Sequence, residues 1–400
     1  MTTESTAPKA QSSAPHKVDV TILMPCLNEF LTLPACVKTA HEAGEALISR
    51  GLTYEVLISD NGSTDGSIEL AESLGCRVVN CLDRGYGNAL VFGCKNAAGS
   101  MLILGDSDAS YDFREGVAMV DKLREGYDLC MGSRFKGEIK PGAMPWKNRY
   151  IGNPVLTGFL NLLYRSGLTD AHCGLRSLTK DAFNRLRLES RGMEFASEMV
   201  VKAALLNLKR TEVPVTLHKD GRDRPPHLRP WRDGWRHVKF LLTLCPLWMY
   251  FVPAAFLMGF SLAIFAALLS TPPGDMFKLG RLYLGDHWLI LSGGFFNVGY
   301  QSLLMGIAAN KYTKGLGFRK RSAADGIIDK FATVDALLAA SVLLGLIGIG
   351  FLVRIFVVWS GNHFGALQMT RETTVATTLI VASFQTMFGG FLISMLGCDE

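Results

Sequence analysis

Residues 18–27 read VDVTILMPCL, an apolar run rich in β-branched side chains, and this run predicts a buried parallel strand. The pattern returns in YEVLISD (54–60), CRVVNCL (76–82) and SMLILGD (100–106). The segments LPACVKTAHEAGEALISRG (33–51) and TDGSIELAESLG (64–75), which lie between these runs, have helical periodicity. Strands and helices that alternate in this order predict an α/β domain with a Rossmann-like, mostly parallel sheet.

Hydropathy divides the chain, because long apolar runs with short charged interruptions dominate beyond about Phe240. Four runs are long enough to cross a bilayer core of about 30 Å, and they lie near 247–269, 287–309, 334–359 and 375–396. We therefore predict a disordered tail over 1–17, a catalytic domain over 18–218, a basic juxtamembrane linker with an interfacial helix over 219–246, and an α-helical transmembrane domain of four spans over 247–400.

The net charge of +5 is concentrated beside the predicted spans. The basic residues are Arg222, Arg224, Arg229, Arg232, Arg236 and Lys239 before the first span, and Lys311, Lys314, Arg319, Lys320 and Arg321 between the second and third. They favour anionic lipid headgroups over nucleic acid, since no groove-reading motif accompanies them. By the positive-inside rule, which alone explains about half of this charge, the catalytic domain and both termini are cytosolic. We expect an integral protein of a bacterial inner or plasma membrane.

Polar side chains follow three of the predicted strands. They are Asn28 and Glu29 after the first strand, Asp60 and Asn61 after the second, and Asp106 and Asp108 after the strand at 100–106. Ligands bind beyond the carboxyl ends of strands in open sheets of this kind. Carboxylates suit Mg²⁺ or Mn²⁺, although a solvated turn is the alternative for an isolated Asp-x-Asp.

The motifs PCLNE, SDNGSTDGS and GDSDASYD occur in this order, and by them residues 18–218 resemble the family 2 glycosyltransferases of the GT-A fold. The resemblance implies that Pro25, Asn28, Glu29 and Asp60 line a nucleotide pocket. It also implies that Asp106 and Asp108 hold the metal on the donor's diphosphate. In DRGYGNAL, Arg84 stands beside two glycines where the backbone can approach the nucleotide, and a plain turn is equally compatible.

Farther along, GSRF, KNRYIGN, DAHCGLRSLTKDAF and GMEFASEMVVKA resemble the branch of this family that makes polyprenyl-phosphate sugars, of the dolichol-phosphate mannose synthase type. The resemblance implies that Arg134 and Arg149 bind the lipid phosphate. We group Ser133 and Asn153 with them. Arg222 either closes over the phosphates or only sets topology. We also expect Asp170 to pair with Arg176 and shape this loop.

The implied reaction is an inverting transfer of a hexose from a nucleotide sugar, UDP-glucose or a similar donor with GDP-mannose as the other candidate, to polyprenyl phosphate. Such a phosphate is a dianion or nearly so if its second pKa is near ~6, and it needs no general base. Arginine suits the acceptor because its planar fork binds two phosphate oxygens. A homo-oligomer is compatible with the sequence.

Other functions remain open at this stage. A glycosyltransferase acting on another lipid or on a polymer is the nearest alternative, although the sequence lacks the Gln-x-x-Arg-Trp motif expected of processive synthases. A transporter would need buried ionisable groups within its spans, for which Asp335 and Arg354 are the main candidates. An inactive scaffold would not need the carboxylates Asp106 and Asp108.

Overall fold

The computed structural model describes residues 18–223, 230–243, 245–272, 274–315, 326 and 330–396. The predicted tail over 1–17 lies outside the described residues, as do parts of both basic segments, 224–229 and 316–325. The chain divides into two units, Met1–Phe240 and Leu241–Glu400, and the boundary falls inside the predicted linker over 219–246.

One sheet of seven strands forms the first unit. The strands are β1 (Val20–Cys26), β2 (Tyr54–Asp60), β3 (Arg77–Asn80), β4 (Met101–Leu104), β5 (Leu129–Ile139), β6 (Arg176–Thr179) and β7 (Arg210–Leu217). Their order is β3-β2-β1-β4-β6-β5-β7, and β6 runs antiparallel to both neighbours while the other pairs are parallel. All of β1 except Pro25 is buried, as its apolar sequence requires. The predicted mostly parallel α/β sheet is confirmed.

Helices connect the strands, and the last helix extends past Phe240, the end of this unit. They are α1 (Leu33–Ile48), α2 (Ser67–Ser73), α3 (Tyr86–Asn96), α4 (Gly116–Arg124), α5 (Asn153–Tyr164), α6 (Lys180–Leu186), α7 (Phe195–Leu205) and α8 (Pro230–Thr243), with a 3₁₀ turn at Phe113–Glu115 and a π turn at Asn148–Gly152. The core between α1, α4 and the sheet includes Ile22, Leu33, Ile103 and Phe113, all fully buried.

Strand register brings the carboxyl ends of β1, β2 and β4 to one edge. Cys26 pairs with Asp60, so β1 and β2 end at the same height, and Leu23 pairs with Leu104 at the end of β4. Leu104 and Met131 both pair with Arg176 of β6. The loop after β4 and the outer half of β5 therefore extend toward the same edge of the sheet, with β6 between the two strands.

The second unit is mainly helical. After a π turn at Leu247–Phe251 come α9 (Val252–Leu269), the hairpin β8 (Phe277–Leu279) and β9 (Leu282–Leu284), α10 (Asp286–Gly315), α11 (Val334–Gly361) and α12 (Thr370–Met395). Among the described residues, the helical stretches long and apolar enough to cross a membrane are Leu247–Leu269, Val334–Gly361 and Thr370–Met395.

The number of spans differs from the prediction. Three of the four predicted spans coincide with apolar helices, whereas the predicted span at 287–309 lies within α10 and is not among the candidates. α10 is continuous, but polar and small residues such as Ser292, Gly293 and Asn297 interrupt its apolar side chains. The described residues thus contain three candidate spans where we predicted four.

Arg371, at the start of α12, joins several segments of this unit. Its Nε lies 2.7 Å from Oδ1 of Asp286, and its other nitrogens donate to the carbonyls of Leu268 (2.7 Å), Thr271 (2.5 Å) and Asp275 (2.9 Å). The side chain is buried. A single guanidinium therefore bonds the end of α9, the following loop and the start of α10. The predicted ionisable candidates, Asp335 and Arg354, are instead exposed.

The predicted juxtamembrane helix is present as α8. Trp235, Arg236 and Lys239 are exposed, whereas His237 is buried. Its contact with a membrane surface remains a prediction.

Candidate active site

The loops after β1 and β4 are bonded to each other at the carboxyl edge of the sheet. The hydroxyl of Ser107 donates to the carbonyl of Pro25 over 2.6 Å, and the hydroxyl of Thr32 donates to the carbonyl of Ser107 over 2.7 Å. Ser107 is the residue between the two predicted metal ligands. The structure thus holds Asp106 and Asp108 directly beside the end of β1.

Asp106 has two neighbours that the sequence reading missed. The buried hydroxyl of Tyr86 donates to its Oδ1 over 2.8 Å, and burial followed by the charge of Asp106 raises the pKa of Tyr86 well above its ordinary value. On the other side, a Cβ at Gly174 would collide with Oδ2 of Asp106. The sequence could have pointed to Tyr86, because this residue lies in DRGYGNAL, two positions after the predicted site residue Arg84.

Asp108 is the more buried of the two carboxylates. The backbone N–H of Ser110 donates to its Oδ1 over 3.0 Å, and Nη1 of Arg222 lies 3.2 Å from its Oδ2. Burial and the neighbouring charge of Asp106 raise the pKa of Asp108 to about 6, and Arg222 opposes that rise. Asp108 is therefore a carboxylate that needs a nearby cation to stay ionised.

Arg222 provides this positive charge and also contacts the loop after β1. Its Nε and Nη2 lie 2.9 Å and 2.8 Å from Oε1 of Glu29, which is itself buried. The preceding Gly221 N–H donates to the carbonyl of Asp108 over 3.0 Å. We predicted that Arg222 lies near the acceptor phosphate. In the structure it contacts the carboxylates of Glu29 and Asp108.

Asp60 and Asn28 brace the loop after β2. The carboxylate of Asp60 accepts from the N–H groups of Gly62 (2.8 Å) and Ser63 (3.0 Å), while Oδ1 of Asn28 accepts from that of Thr64 over 2.8 Å. Asn28 has a φ of 58°, a left-handed conformation that Asn tolerates better than most residues. A cavity of about 360 Å³ opens here, lined by Asn28, Glu29, Phe30, Leu31, Thr32, Thr64, Asp65, Arg222 and Asp223.

Asn61 links this loop to the Arg84 segment. Its Nδ2 donates to the carbonyl of Asp83 over 2.8 Å, and its Oδ1 accepts from the N–H of Gly85 over 2.7 Å. An amide can donate and accept at once, which a second aspartate would not do. Arg84 is exposed at the rim of this segment.

The two glycines after Arg84 pack against the chain itself. The N–H of Gly87 donates to the carbonyl of Arg191 over 3.0 Å, and a Cβ at Gly87 would collide with the carbonyl of Ser190. We predicted that the backbone at these glycines approaches the nucleotide. In the structure this backbone contacts residues 190–191.

Arg134 and Asp170 form a buried ion pair. Nε and Nη2 of Arg134 lie 2.6 Å and 2.7 Å from Oδ2 and Oδ1 of Asp170. Our prediction that Asp170 pairs with Arg176 was wrong, because Arg176 donates to the carbonyl of Cys173 over 2.6 Å. The hydroxyl of Ser133 lies 2.8 Å from that of Thr169, beside this pair.

Arg149 and Asn153 lie on the segment that leads into α5. The guanidinium of Arg149 lies 5.5 Å from the ring centroid of Tyr150, and in the part of the chain that the structure describes it forms no ion pair. The amide of Asn153 lies 3.4 Å from the sulfur of Met144. No described contact joins these two residues to Arg134.

The carboxylate pair fits a hard divalent cation. Within the described residues no group of three or more acidic, His or Cys side chains surrounds a common point. Two carboxylates are what Mg²⁺ or Mn²⁺ requires when substrate phosphates supply the other oxygens. A Cβ at position 174 would collide with Oδ2 of Asp106 and with the ring of Tyr111, so glycine at this position keeps the carboxylate free of a neighbouring side chain.

Comparison with known proteins gives matches along both units. Residues 21–187 match the family model for glycosyl transferase family 2, and residues 307–397 match that for the glycosyltransferase family 2 C-terminal transmembrane region. The low-salt glycan biosynthesis hexosyltransferase Agl6 of Haloferax volcanii is 32% identical over 379 residues, which cover 94% of this chain and 89% of the relative.

Two further matches cover a little over half of this chain. Glycosyltransferase AglJ of Haloferax volcanii is 35% identical over 219 residues, covering 54% of this chain and 68% of the relative. The crystal structure of glucosyl-3-phosphoglycerate synthase from Mycobacterium tuberculosis superposes with a TM-score of 0.45 at 19% identity, covering 57% of this chain and 80% of that one. On the sequence matches, and above all on one relative that aligns along almost the whole chain, this protein belongs to glycosyltransferase family 2 and carries the family's C-terminal transmembrane region.

Proposed function

We propose that this glycosyltransferase transfers a hexose from a nucleotide sugar to polyprenyl phosphate at the cytosolic face of a membrane, with inversion at the anomeric carbon. The observation that carries the proposal is the placement of charge along one sheet edge. Asp106 and Asp108 follow β4, and Arg134 lies on β5 one strand beyond β6. Acidic groups for a metal-bound diphosphate and a basic group for a second phosphate thus share one edge.

The donor side consists of the loops after β1, β2 and β4. Asp106 and Asp108 would hold the cation, and Asn28, Glu29 and Asp60 line or brace the adjoining cavity. A bound Mg²⁺ or Mn²⁺ would neutralise charge on the leaving diphosphate. Arg222, already between Glu29 and Asp108, is placed to turn its guanidinium toward phosphate oxygens.

The acceptor side depends on Arg134. Because Asp170 bonds its Nε and Nη2, the guanidinium is held rigidly and Nη1 is left to meet a phosphate oxygen. Burial lowers the pKa of Arg134, but its interactions with Tyr111 and Asp170 raise that pKa well above the ordinary value. Arg149 lacks such a brace and would complete the phosphate site from the segment before α5.

These residues are suited to a single displacement. A phosphate oxygen of the acceptor attacks the anomeric carbon, the bond from that carbon to the donor's diphosphate breaks, and the nucleoside diphosphate leaves with the electron pair. The acceptor oxygen is already ionised, so no general base is required. What this chain supplies is the orientation of two anionic substrates and the basic groups that reduce their mutual repulsion.

The hexose is supported by the relative that aligns along 94% of this chain, which is named a hexosyltransferase. For the donor we propose UDP-glucose, with GDP-mannose as the competing candidate. For the orientation, the basic residues Arg232, Arg236 and Lys239, which precede the first candidate span, support a cytosolic catalytic domain.

The test is a transfer assay with the full chain in membranes. Polyprenyl phosphate, Mg²⁺ or Mn²⁺ and a panel of labelled UDP- and GDP-sugars are supplied, and label is counted in the extracted lipid. We expect one donor to label lipid in a metal-dependent way and Asp108→Asn to abolish the label. Asp181→Asn is the matched control, because that carboxylate is exposed and, among the described residues, forms an ion pair with Arg185.

Two other results would count against the proposal. If label appears in a soluble or polymeric product, the acceptor is wrong while the donor chemistry stands. If Asp108→Asn transfers sugar as well as the wild type, the carboxylate pair does not hold a required metal.

A further inference from the structure

A chain of three hydrogen-bonded side chains connects helix α8 to the loop between α5 and β6. The hydroxyl of Ser197, on α7, lies 2.7 Å from Nδ1 of His237 on α8 and 3.0 Å from Nε2 of His172 in that loop. The two imidazole rings meet edge to face, with their centroids 4.9 Å apart. Ser197 and His237 are buried. The helix before the first candidate span is therefore bonded to the catalytic unit by a buried polar contact.

The partners of these atoms assign the proton of His172. A serine hydroxyl has one proton, so it can donate to only one of the two imidazole nitrogens, and the other nitrogen must carry a proton. Nδ1 of His172 is buried and has no hydrogen-bond partner within the described residues. A buried N–H without an acceptor is rarer than an unused lone pair, so Nε2 of His172 donates to Ser197 and Nδ1 of His237 is left to accept from it. Burial, followed by His237, Arg134 and Arg176, lowers the pKa of His172 well below its ordinary value, and the ring is neutral as this arrangement requires.

His172 lies in the segment that orients Arg134. Asp170, two residues earlier, accepts from Nε and Nη2 of Arg134 over 2.6 Å and 2.7 Å. On the other side, the N–H groups of Thr169 and Asp170 donate to Oε1 of Glu212 over 2.6 Å and 3.0 Å. The bond from His172 to α7 is thus a second attachment of this segment, and Asp170 stands between the two attachments. Without the second one, the carboxylate of Asp170 can turn and take the guanidinium of Arg134 with it.

We propose that His237 is a positioning residue for sugar transfer. By holding His172 through Ser197, it fixes the loop that orients Arg134. This inference rests on the proposed function, in which Arg134 binds the acceptor phosphate. Because α8 is followed in sequence by the apolar stretch Leu247–Leu269, the acceptor site takes its final geometry only when the segment that leads into the membrane is bonded to the catalytic unit.

The test compares His237→Leu with His237→Asn in the full chain. Leucine removes the ring nitrogen, whereas Oδ1 of asparagine stands as many bonds from Cβ as Nδ1 of histidine and keeps an acceptor there. Ser197→Ala breaks the same connection at its middle. His41→Leu is the matched control, because this half-buried histidine on α1 also uses both ring nitrogens, which lie 3.1 Å from the hydroxyl of Tyr54 and 3.1 Å from the carbonyl of Leu74.

The first measurement is steady-state transfer to polyprenyl phosphate. We expect His237→Leu and Ser197→Ala to raise the KM for this acceptor about fivefold, the ratio that corresponds to one neutral hydrogen bond. The KM for the nucleotide sugar should not change, since the donor loops have no bond to this chain of side chains. His237→Asn should restore the acceptor KM, and His41→Leu should leave it at the wild-type value. The double variant should be no worse than either single one, because both changes break one connection.

The second measurement is amide hydrogen exchange of residues 169–174, which needs neither substrate. Exchange should be faster in His237→Leu and Ser197→Ala, and it should match the wild type in His237→Asn and His41→Leu. Wild-type exchange in His237→Leu would overturn the proposal, and so would faster exchange in His41→Leu, which would show a general loss of stability. If the wild type labels no lipid from any donor, the proposed acceptor is wrong, while exchange still decides whether His237 fixes the loop.

A third outcome separates the two claims from the other direction. If the wild type labels lipid and exchange is faster in His237→Leu, but its acceptor KM is unchanged, the proposed function stands and His237 has no part in positioning Arg134.

Discussion

Nη1 of Arg222 lies 3.2 Å from Oδ2 of Asp108, so an arginine from the segment after β7 neutralises a carboxylate at the end of β4. The same arginine contacts Glu29, which lies 193 residues away in sequence. A divalent cation that binds Oδ2 of Asp108 would compete with the contact of Arg222. The single positive charge of Arg222 is therefore shared among Glu29, Asp108 and Asp220.

The first prediction concerns pH. Metal binding needs ionised Asp108, whose pKa is raised to about 6, so the affinity for Mn²⁺ should fall as the pH drops through that value. One unit below it, only about a tenth of the carboxyl groups are ionised. In Arg222→Gln the charge that lowers this pKa is gone, and the midpoint should move to higher pH. Calorimetric titration with Mn²⁺ between about pH 5 and 8 measures both midpoints. A midpoint that does not move in Arg222→Gln would show that Arg222 does not control Asp108.

The second prediction concerns Tyr86→Phe. This change removes the hydroxyl that donates to Asp106 over 2.8 Å and keeps the ring beside Phe195. Loss of a group that orients a metal ligand typically costs about 10–100-fold in metal affinity. We expect such a loss in the Mn²⁺ titration with an unchanged thermal midpoint. A variant that binds Mn²⁺ as the wild type does would show that Asp106 needs no orientation by Tyr86.

The third prediction concerns the buried pair of Arg134 and Asp170. Asp170→Asn leaves a buried guanidinium without its counter-charge, a change that typically costs about 3–5 kcal/mol. The thermal midpoint of the full chain should fall clearly. Asp181→Asn is the control, because its exposed pair with Arg185 is worth at most about 1 kcal/mol. Equal midpoints for both variants would contradict a structural role for Asp170.

The fourth prediction concerns two glycines. Gly87→Ala places a Cβ against the carbonyl of Ser190, and because backbone must then shift, we expect lower stability. At Gly158, inside α5, a Cβ meets nothing within 4 Å. Gly158→Ala should instead stabilise the helix by about 0.5–1 kcal/mol. Melting curves of the two variants should therefore move in opposite directions.

The fifth prediction concerns the second unit. Arg371→Lys keeps the charge, but one ammonium cannot reach Asp286 and the carbonyls of Leu268, Thr271 and Asp275 together. We expect a lower thermal midpoint in detergent, with Arg354→Lys as the control because Arg354 is exposed. If Arg354→Lys lowers the midpoint as much, the effect reflects arginine content and not the contacts of Arg371.

Local patterns in the sequence predicted the structural features that depend on residues close together in the chain. Runs such as VTILMPC predicted strands, and the polar residues after them predicted the loops at the carboxyl edge. Three apolar helices were likewise visible as hydropathy. Each of these signals is a periodicity within about 20 residues, which is the scale on which such reasoning works.

Contacts between distant segments were not predictable in this way. Asp170 was assigned to Arg176, six residues on, whereas its partner Arg134 lies 36 residues before it. The choice depends on β6 running antiparallel between β4 and β5, and the short sequence RSLT carries no sign of that. Glu29 met Arg222 only because the chain after β7 returns to the first loop.

The antiparallel strand β6 also sets the distance between β4 and β5. Neighbouring strands are about 4.8 Å apart, so the insertion of β6 separates β4 from β5 by about 10 Å. Backbone hydrogen bonds set this width, and the side chains of Asp106 and Arg134 can change it little. If the proposed function is right, exchange of one sugar for another would have to be accommodated in the loops, while the gap between β4 and β5 stays constant.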